Sequence, residues 1–272
     1  MTGQNIANVN TEGYRKRSAD LTEVSGSQSE LTSITSQIGL GVNLGAVRRA
    51  YNVFLASSSN SSESRFQSSQ TFVESMERLE NAILPGEGDL SSQITEFFRT
   101  LSDVEASPGD LAPRAAAIEQ GNGLANAFNV TAFVLRDLET QISGTIDQEV
   151  NEVNRLVESL ASVNGKLRSS NLGASPPNAL MDERDRLISE ISQKVRITVN
   201  YSPRFDVNIR LGEHFTGPVL LEGETSFKIQ PIRGDENGVS YKIGTSRVVK
   251  TLDDGGLKGL STALSVIQDT HS

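Results

Sequence analysis

The sequence predicts an α+β protein in which an elongated helical-bundle or coiled-coil domain with short N-terminal strands is joined to a small all-β domain. Two observations support this prediction. Apolar residues recur about every 3.6 residues through the middle of the chain, and this is the period of an α-helix. Between residues 195 and 254, short runs rich in Val, Ile and Tyr alternate with Gly, Pro, Asp and Asn, which is typical of strands joined by turns. The first two predicted strands cover residues 197–201 and 207–211.

The composition limits the possible classes of function. The 272 residues carry a net charge of −9, and an acidic chain gains nothing from counterion release on DNA or RNA, so we expect no nucleic-acid partner. The chain has no Cys, which excludes disulfides, thiol nucleophiles and Cys-ligated zinc. No window holds the roughly 18 continuous apolar residues that span a bilayer, and the first residues lack a signal-peptide core, so we expect no membrane partner and no cleaved signal.

Three helices are predicted in succession in the helical part. The first covers residues 52–84, and the second starts near Asp89 or Ser91. The apolar face of the first consists of Phe66, Val73, Met76, Leu79 and Ile83. Ser107 is the expected N-cap of a third, long helix. Because that helix carries a continuous apolar stripe, we expect it to pack against a partner. The residues of the stripe are Leu135, Leu138, Ile142, Ile146, Val150, Val153, Leu156, Leu160, Val163 and Leu167.

A linker rich in Gly, Ser and Pro precedes a shorter helix over residues 178–194, and the predicted strands follow that helix. We therefore predict four segments. They are an N-terminal motif with extended segments over 1–51, the elongated helical domain over 52–194, the small β domain over 195–254, and the start of a return to the helical domain over 255–272.

The first residues of the chain combine a short apolar helix end with asparagines and a turn glycine. Ile6 and Ala7 would face a partner helix. Asn8 tolerates the left-handed conformation in which many helices end. Gly13 supplies a positive φ that lets the aromatic residue after it turn back. The residues of this motif are Asn5, Ile6, Ala7, Asn8, Thr11, Gly13 and Tyr14.

The motif resembles the N-terminal signature N-I-A-N-x-x-T-x-G-Y of bacterial flagellar rod, hook and hook-associated proteins, and two further runs narrow the resemblance to the hook-associated protein 1 family. Residues 39–55 are similar to its G-x-G-V strand and R-x-Y-D-x-F-L helix start, with Asn52 in place of the Asp and either Arg48 or Arg49 as the arginine. Residues 177–187 are similar to its P-N-D-L-L-D-Q-R-D-x-L run. The matching residues there are Pro177, Asn178, Leu180, Asp182, Arg184, Asp185 and Leu187.

The resemblance implies a non-catalytic structural subunit that self-assembles at the junction between flagellar hook and filament and needs no cofactor or metal. It implies export through the flagellar type III channel to an extracellular position. It also implies contacts with the hook protein and with hook-associated protein 3, the second junction protein. We assign the N-terminal motif to assembly in this context.

The resemblance further implies that the full-length protein forms a ring through its terminal helices and binds an export chaperone near its C-terminal end. Most of the N-terminal helix and all of the C-terminal helix of the family are missing from these 272 residues. We therefore expect a core fragment that does not bind the chaperone.

Two other interpretations stay open. A flagellar hook or distal-rod protein would share the N-terminal signature, although the run at residues 177–187 argues against it. A ligand-binding or enzymatic protein with a helical stalk and a β domain is the alternative from another class, because the predicted strands carry no diagnostic motif. Stabilisation by a metal or substrate in a thermal melt would favour that second alternative.

Charged residues that could carry chemistry have simpler structural explanations. Asp182, Glu183 and Asp185 alternate with arginines on one helix, so we expect salt-bridged faces that point to solvent. The basic run at residues 15–17 is expected to be a solvated edge. His214 lies in a glycine-flanked turn, with no second histidine at zinc-ligand spacing. The sequence therefore predicts no catalytic, cofactor or metal residue.

Overall fold

The computed structural model describes residues 1–11, 13–23, 42–83, 90–170, 177–235, 238–245, 247–249 and 251–271. Six helices and nine strands lie in these stretches. In chain order they are α1 (Thr2–Ala7), β1 (Arg17–Glu23), β2 (Val42–Arg49), α2 (Val53–Ile83), α3 (Leu90–Ala106), α4 (Leu111–Ser170), α5 (Asn178–Lys194), β3 (Ile197–Tyr201), β4 (Val207–Leu211), β5 (Val219–Glu222), β6 (Thr225–Ser226), β7 (Ile229–Asp235), β8 (Gly238–Ile243), β9 (Arg247–Val249) and α6 (Gly256–His271).

The predicted α+β class is confirmed, and the long helices lie where the apolar period placed them. α4 is one continuous helix of 60 residues. All ten residues of the predicted stripe are buried, and none is more than 7% exposed. α5 has the predicted bounds, and β3 and β4 match the predicted strands residue for residue. Part of the extended region predicted before residue 50 lies at residues 24–41, outside the described residues.

The start of α4 differs from the prediction. Ser107 is not the N-cap, because α4 begins at Leu111 and the Asp110 Oδ1 atom accepts a hydrogen bond from the backbone N–H of Ala112 at 3.1 Å. An Asp caps a helix as well as a Ser does, and this later start keeps Gly109 out of the helix, where its flexibility would cost stability.

Only part of the predicted apolar face of α2 is buried. Leu79 is 9% exposed and Met76 is half-buried, but Phe66, Val73 and Ile83 are exposed, and Ser64 and Ser75 are buried instead. The reason is the close approach of α6. A Cβ atom added at Gly259 would lie 2.4 Å from the backbone oxygen of Ser68, so only small side chains fit between the two helices. Among the described residues, no helix combines the length and the apolar character needed to cross a bilayer.

The chain divides into two compact units that interleave along the sequence. Unit 1 comprises Met1–Ser62, Asn154–Ser192 and Ile197–Phe227, and unit 2 comprises Glu63–Val153, Gln193–Arg196 and Lys228–Ser272. The strands between residues 195 and 254 form two separate antiparallel sheets, one in each unit.

Unit 1 contains a two-stranded sheet of β1 and β2 and a four-stranded sheet in the order β3-β4-β5-β6. Asn164 of α4 is fully buried and binds the four-stranded sheet. Its Nδ2 donates to the backbone oxygens of Val207 and Gly223 at 2.7 Å each, and its Oδ1 accepts from the N–H of Val207 at 3.1 Å. A single amide side chain thus satisfies three backbone groups at the rim of the sheet.

Unit 2 contains the sheet β7-β8-β9 and the helices that pack near it. The hydroxyls of Tyr241 on β8 and Ser261 on α6 lie 2.6 Å apart. The backbone N–H of Gly255 donates to the oxygen of Ser64 at 3.0 Å, which holds the start of α6 against α2. Burial raises the pKa of the Tyr241 hydroxyl to about 12.

Candidate functional site

The N-terminal motif forms a short helix followed by a turn. Asn8 ends α1 with a φ of −109°, so the expected left-handed helix end is wrong at this residue. The chain reverses at Gly13 instead, which has a φ of +79°. A Cβ atom added there would lie 3.1 Å from Cβ of Arg186 on α5. Gly13 therefore permits both the positive φ and the close approach to α5.

Asn5 is the centre of the hydrogen bonds within the motif. Its Oδ1 accepts bonds from the Tyr14 hydroxyl at 2.8 Å and from the backbone N–H of Arg17 at 3.0 Å. Its Nδ2 donates to the backbone oxygen of Arg17 at 2.9 Å. Because an amide offers a donor and an acceptor together, Asn5 binds both backbone groups of Arg17, as a neighbouring strand would. Neither Asp nor Leu could do this.

Two arginines from the β1–β2 sheet converge on one carboxylate of α5. The Arg17 Nη2 atom lies 2.9 Å from Oδ2 of Asp182, and the Arg49 Nε and Nη2 atoms lie 2.9 Å and 2.7 Å from Oδ1 of the same residue. Arg49 also places Nη2 2.6 Å from Oδ2 of Asp185. The side chains of Arg49 and Asp185 are 3% and 2% exposed, so removing either partner would leave a buried unpaired charge.

Arg184 extends these ion pairs to the four-stranded sheet. Its Nε and Nη2 atoms lie 2.8 Å and 2.6 Å from Oδ1 of Asp185, and its Nη1 donates to the backbone oxygen of Phe205 at 2.6 Å. Asp185 thus accepts bonds from Arg184 on one oxygen and from Arg49 on the other. We call Arg17, Arg49, Asp182, Arg184 and Asp185 the arginine–aspartate network.

Two half-buried tyrosines lie beside the network. The hydroxyls of Tyr51 and Tyr201 are 2.9 Å apart, and the guanidinium groups of Arg49 and Arg184 lie 5.3 Å and 5.1 Å from the ring centres of Tyr51 and Tyr201. Burial raises the pKa of both hydroxyls, and the negative charge of Asp185 raises the pKa of Tyr51 further. Both tyrosines therefore stay protonated at neutral pH, and one donates a hydrogen bond to the other.

The structure decides which arginine of β2 enters the network. Arg49 is opposite Arg17 in the sheet and Arg48 is opposite Ser18. Because successive residues of a strand point to opposite faces, the two arginines have different environments. The side chain of Arg48 is 73% exposed and forms a salt bridge with Asp20, whereas that of Arg49 is 3% exposed.

The prediction of solvent-facing salt bridges on α5 is correct for Glu183 and wrong for its two neighbours. Glu183 is 43% exposed and binds Arg186, and this bond lowers the pKa of Glu183. Asp182 and Asp185 are 13% and 2% exposed. Asp182 and Asp185 are three positions apart, so they share one face of α5. Glu183 follows Asp182 by one position and is therefore rotated by about 100° around the helix axis, towards solvent. Arg17 is 19% exposed, so it is not part of a solvated edge.

The other members of the two sequence motifs surround this network. Ile6 is 68% exposed and Ala7 is also exposed, while Thr11 donates its hydroxyl to Oδ1 of Asn8 at 3.2 Å. On α5, Pro177 lies just before the helix, Asn178 is its first residue, Leu180 is half-buried and Leu187 is 2% exposed. Arg17, Tyr51 and Tyr201 were not predicted from the sequence. The alternation Arg48-Arg49-Ala50-Tyr51 was the available sign that one arginine and one aromatic ring would point inward.

The arginine–aspartate network joins segments of the chain and has no feature of a catalytic site. Its three guanidinium groups offer hydrogen-bond donors only, and both carboxylates are occupied by ion pairs, so the network offers no free base. Among the residues that the structure describes, no group of three or more His, Asp or Glu side chains is placed to hold a metal ion. What the network does is join the N-terminal motif, β2, α5 and the β3–β4 turn.

Known proteins share both the sequence pattern and the fold. The model of the flagellar hook-associated protein FlgK helical domain matches residues 76–271. Flagellar hook-associated protein 1 of Escherichia coli K12 is 26% identical over 95% of this chain and 48% of its own length. The protein of the same name from Salmonella typhimurium LT2 is 27% identical over 95% of this chain and 47% of its own length. The chain thus spans about half the length of these curated relatives.

A solved structure supports the fold. The flagellar hook junction protein FlgK from Burkholderia pseudomallei superposes with a TM-score of 0.65 at 20% identity, over 76% of this chain and 38% of the other. With the family model matching well over half of the residues, the chain belongs to the flagellar hook-associated protein FlgK helical-domain family.

Proposed function

We propose that this chain is part of a non-catalytic structural subunit of the bacterial flagellum that forms the junction between hook and filament. The observation that carries the proposal is the match over 95% of the chain to two relatives named flagellar hook-associated protein 1. The fold shared with a flagellar hook junction protein of solved structure is consistent with it. The arginine–aspartate network supports a structural role, because its charged groups are consumed in holding segments together.

The finer parts of the proposal come from the family resemblance. The proposed partners are the hook protein on one side and hook-associated protein 3 on the other, with further copies of the full-length subunit forming a ring. The proposed location is extracellular, after export by the flagellar type III system without a cleaved signal.

The test is deletion of the gene in the source bacterium, followed by electron microscopy of the cell surface and a swimming assay. The expected result is hooks without attached filaments and loss of swimming. A plasmid copy of the complete gene should restore both. Cells that keep attached filaments after deletion would refute a junction role, and cells that lack hooks as well as filaments would favour the hook or distal-rod assignment instead.

A thermal melt separates the structural class from the ligand-binding or enzymatic alternative. A protein that binds a ligand only in its folded state is stabilised by about 2.7 kcal/mol when the ligand is present at a hundred times its Kd. We expect no shift of the melting temperature with divalent metals, nucleotides or sugars. A reproducible, concentration-dependent increase with any of these would favour the alternative class.

A further inference from the structure

We propose that Arg17 and Asn5 are positioning residues that latch α1 onto α5 through Asp182, and that this latch sets the orientation of α1 within unit 1. The inference rests on the proposed function, because a fixed orientation of α1 matters only if α1 contacts other subunits. It goes beyond that function by naming the contact that orients α1.

Apolar packing does not hold α1 in place. None of the residues of α1 is buried, and Ile6, its largest apolar side chain, is 68% exposed. Between α1 and α5 lies an open cleft of about 420 Å³, whose lining includes the polar side chains of Asn8, Arg17, Asp182 and Arg186. An element that borders an open cleft and buries no apolar residue depends on directional bonds for its position.

A continuous series of hydrogen bonds and one ion pair connects α1 to α5. Asn5 on α1 binds the backbone of Arg17 and the hydroxyl of Tyr14, and the Arg17 guanidinium lies 5.1 Å from the centre of the Tyr14 ring. The same guanidinium reaches Asp182 at 2.9 Å. One end of the path is therefore on the short helix and the other is on α5.

The α5 end of the path is rigidly supported. Asp182 shares its second oxygen with Arg49, which is 3% exposed and also bound to Asp185. Asp185 is in turn held by Arg184, whose Nη1 binds the backbone of the β3–β4 turn. Removing Arg17 leaves all of these contacts intact. The latch can therefore be opened without removing any bond that supports the body of unit 1.

The matched variants are Arg17→Met and Lys16→Met. Both remove one positive charge from adjacent positions, but Lys16 is exposed whereas Arg17 reaches Asp182. Since the chain has no Cys, labels can be attached to cysteines introduced at Gly3 and Glu222 without background. A Cβ atom at Gly3 has nothing within 4 Å, and Glu222 is exposed on β5. Both label positions lie in unit 1.

Double electron–electron resonance on the doubly spin-labelled chain then measures the distance between the labels on α1 and on β5 of the four-stranded sheet. The parent and Lys16→Met should give one narrow distance peak. Arg17→Met keeps the backbone atoms that bind Asn5 but loses the ion pair with Asp182, so its peak should shift and broaden. Asn5→Ala should broaden the peak further, because it removes the bonds of α1 to the backbone of Arg17 and to the Tyr14 hydroxyl. Arg17→Lys should restore part of the narrow peak. A narrow, unshifted peak in Arg17→Met would overturn the latch.

A second readout in cells separates positioning from mere local order. The complete gene carrying Arg17→Met should restore few attached filaments to the deletion strain, at a level of secreted protein equal to that of Lys16→Met, which should restore them fully. Normal filament attachment by Arg17→Met would overturn the positioning role. It would leave the junction function standing, because that function is tested by the deletion itself.

Discussion

Two parts of α4, both within unit 2, differ in the solvent exposure of their apolar side chains. Over residues 135–153, the six stripe residues are at most 7% exposed. Over residues 111–134, five large apolar side chains are between 50% and 77% exposed. These five are Leu111, Ile118, Phe128, Val130 and Phe133.

The difference follows from what lies alongside each part. Residues 135–153 lie beside α6, where Gln268 donates to Glu139 at 2.8 Å, and beside β7, where Arg233 reaches the backbone oxygen of Ser143 at 3.0 Å. In the described part of the chain, the contacts of residues 111–134 are with α3, where Gln120 donates to Gln93 at 2.7 Å. A helical period predicts which residues share a face. Whether that face is buried depends on how many elements reach it.

The largest expected effect comes from placing the same charge in the two parts. Ile146→Asp should lower the free energy of unfolding by at least about 4 kcal/mol, because Ile146 is 0% exposed and an unpaired carboxylate would be buried. Ile118→Asp is the matched control, since Ile118 is 67% exposed, and it should change stability by no more than about 0.5 kcal/mol. Urea unfolding followed by circular dichroism measures both. Similar losses in the two variants would remove the contrast between the two parts.

Alkaline pH should weaken the packing of β8 against α6 in unit 2, because the Tyr241 hydroxyl is buried there beside Ser261, whereas residues 111–134 contain no tyrosine. Its pKa is raised by burial from 10.0 to about 12, so the folded state holds the proton more tightly than the unfolded state. The contribution of the protonated Tyr241 hydroxyl to the free energy of unfolding is complete below pH 10. It is lost as the pH rises towards 12, by about 3 kcal/mol in total.

The check compares the unfolding free energy of the parent and of Tyr241→Phe at several pH values between 9 and 12. Tyr51 and Tyr201 titrate in both proteins, so their effects cancel in the difference. The parent should lose stability relative to Tyr241→Phe as the pH rises. Parallel profiles would mean that the Tyr241 hydroxyl is not protected from water.

The smallest effects concern one glycine in each part of α4. Gly144 has nothing within 4 Å of an added Cβ, so Gly144→Ala should stabilise the protein by about 0.5–1 kcal/mol through helix propensity. Gly121→Ala should gain less, since its Cβ would lie 3.3 Å from Cε2 of Phe97. Thermal melts rank the two. A larger gain at Gly121 would show that the Phe97 side chain of α3 moves aside at little cost. It would mean that residues 111–134 are packed more loosely than their contacts indicate.

Local patterns predicted the elements well and their burial unevenly. The bounds of α5, β3 and β4 follow from period and turn residues that lie within a few positions of each other. The inner face of α2 does not, because Ser64 and Ser75 lie on the face that α6 approaches, where Gly259 comes close to the backbone oxygen of Ser68. Small polar side chains in a core are visible only once the distant helix is in place.

The candidate site shows the same limit. The family resemblance singled out Asn5 and Asp182, but nothing local indicated that the two motifs meet. The ion pairs that join them span 165 residues between Arg17 and Asp182 and 133 residues between Arg49 and Asp182. Patterns confined to one segment carry no information about such contacts. The strand alternation of β2 was sufficient only to show that one of two arginines would point inward.

The interleaved composition of the two units has a consequence for the order in which the protein can fold during its synthesis. Unit 1 has all of its segments once Phe227 has left the ribosome, whereas unit 2 still lacks β7, β8, β9 and α6 at that moment. Until α6 emerges, the helix that covers residues 135–153 and the face of α2 with Ser64 and Ser75 is absent. The nascent chain therefore passes through a stage in which one unit can close while the other exposes its future core, and at this stage it is most open to aggregation or to binding by cellular chaperones.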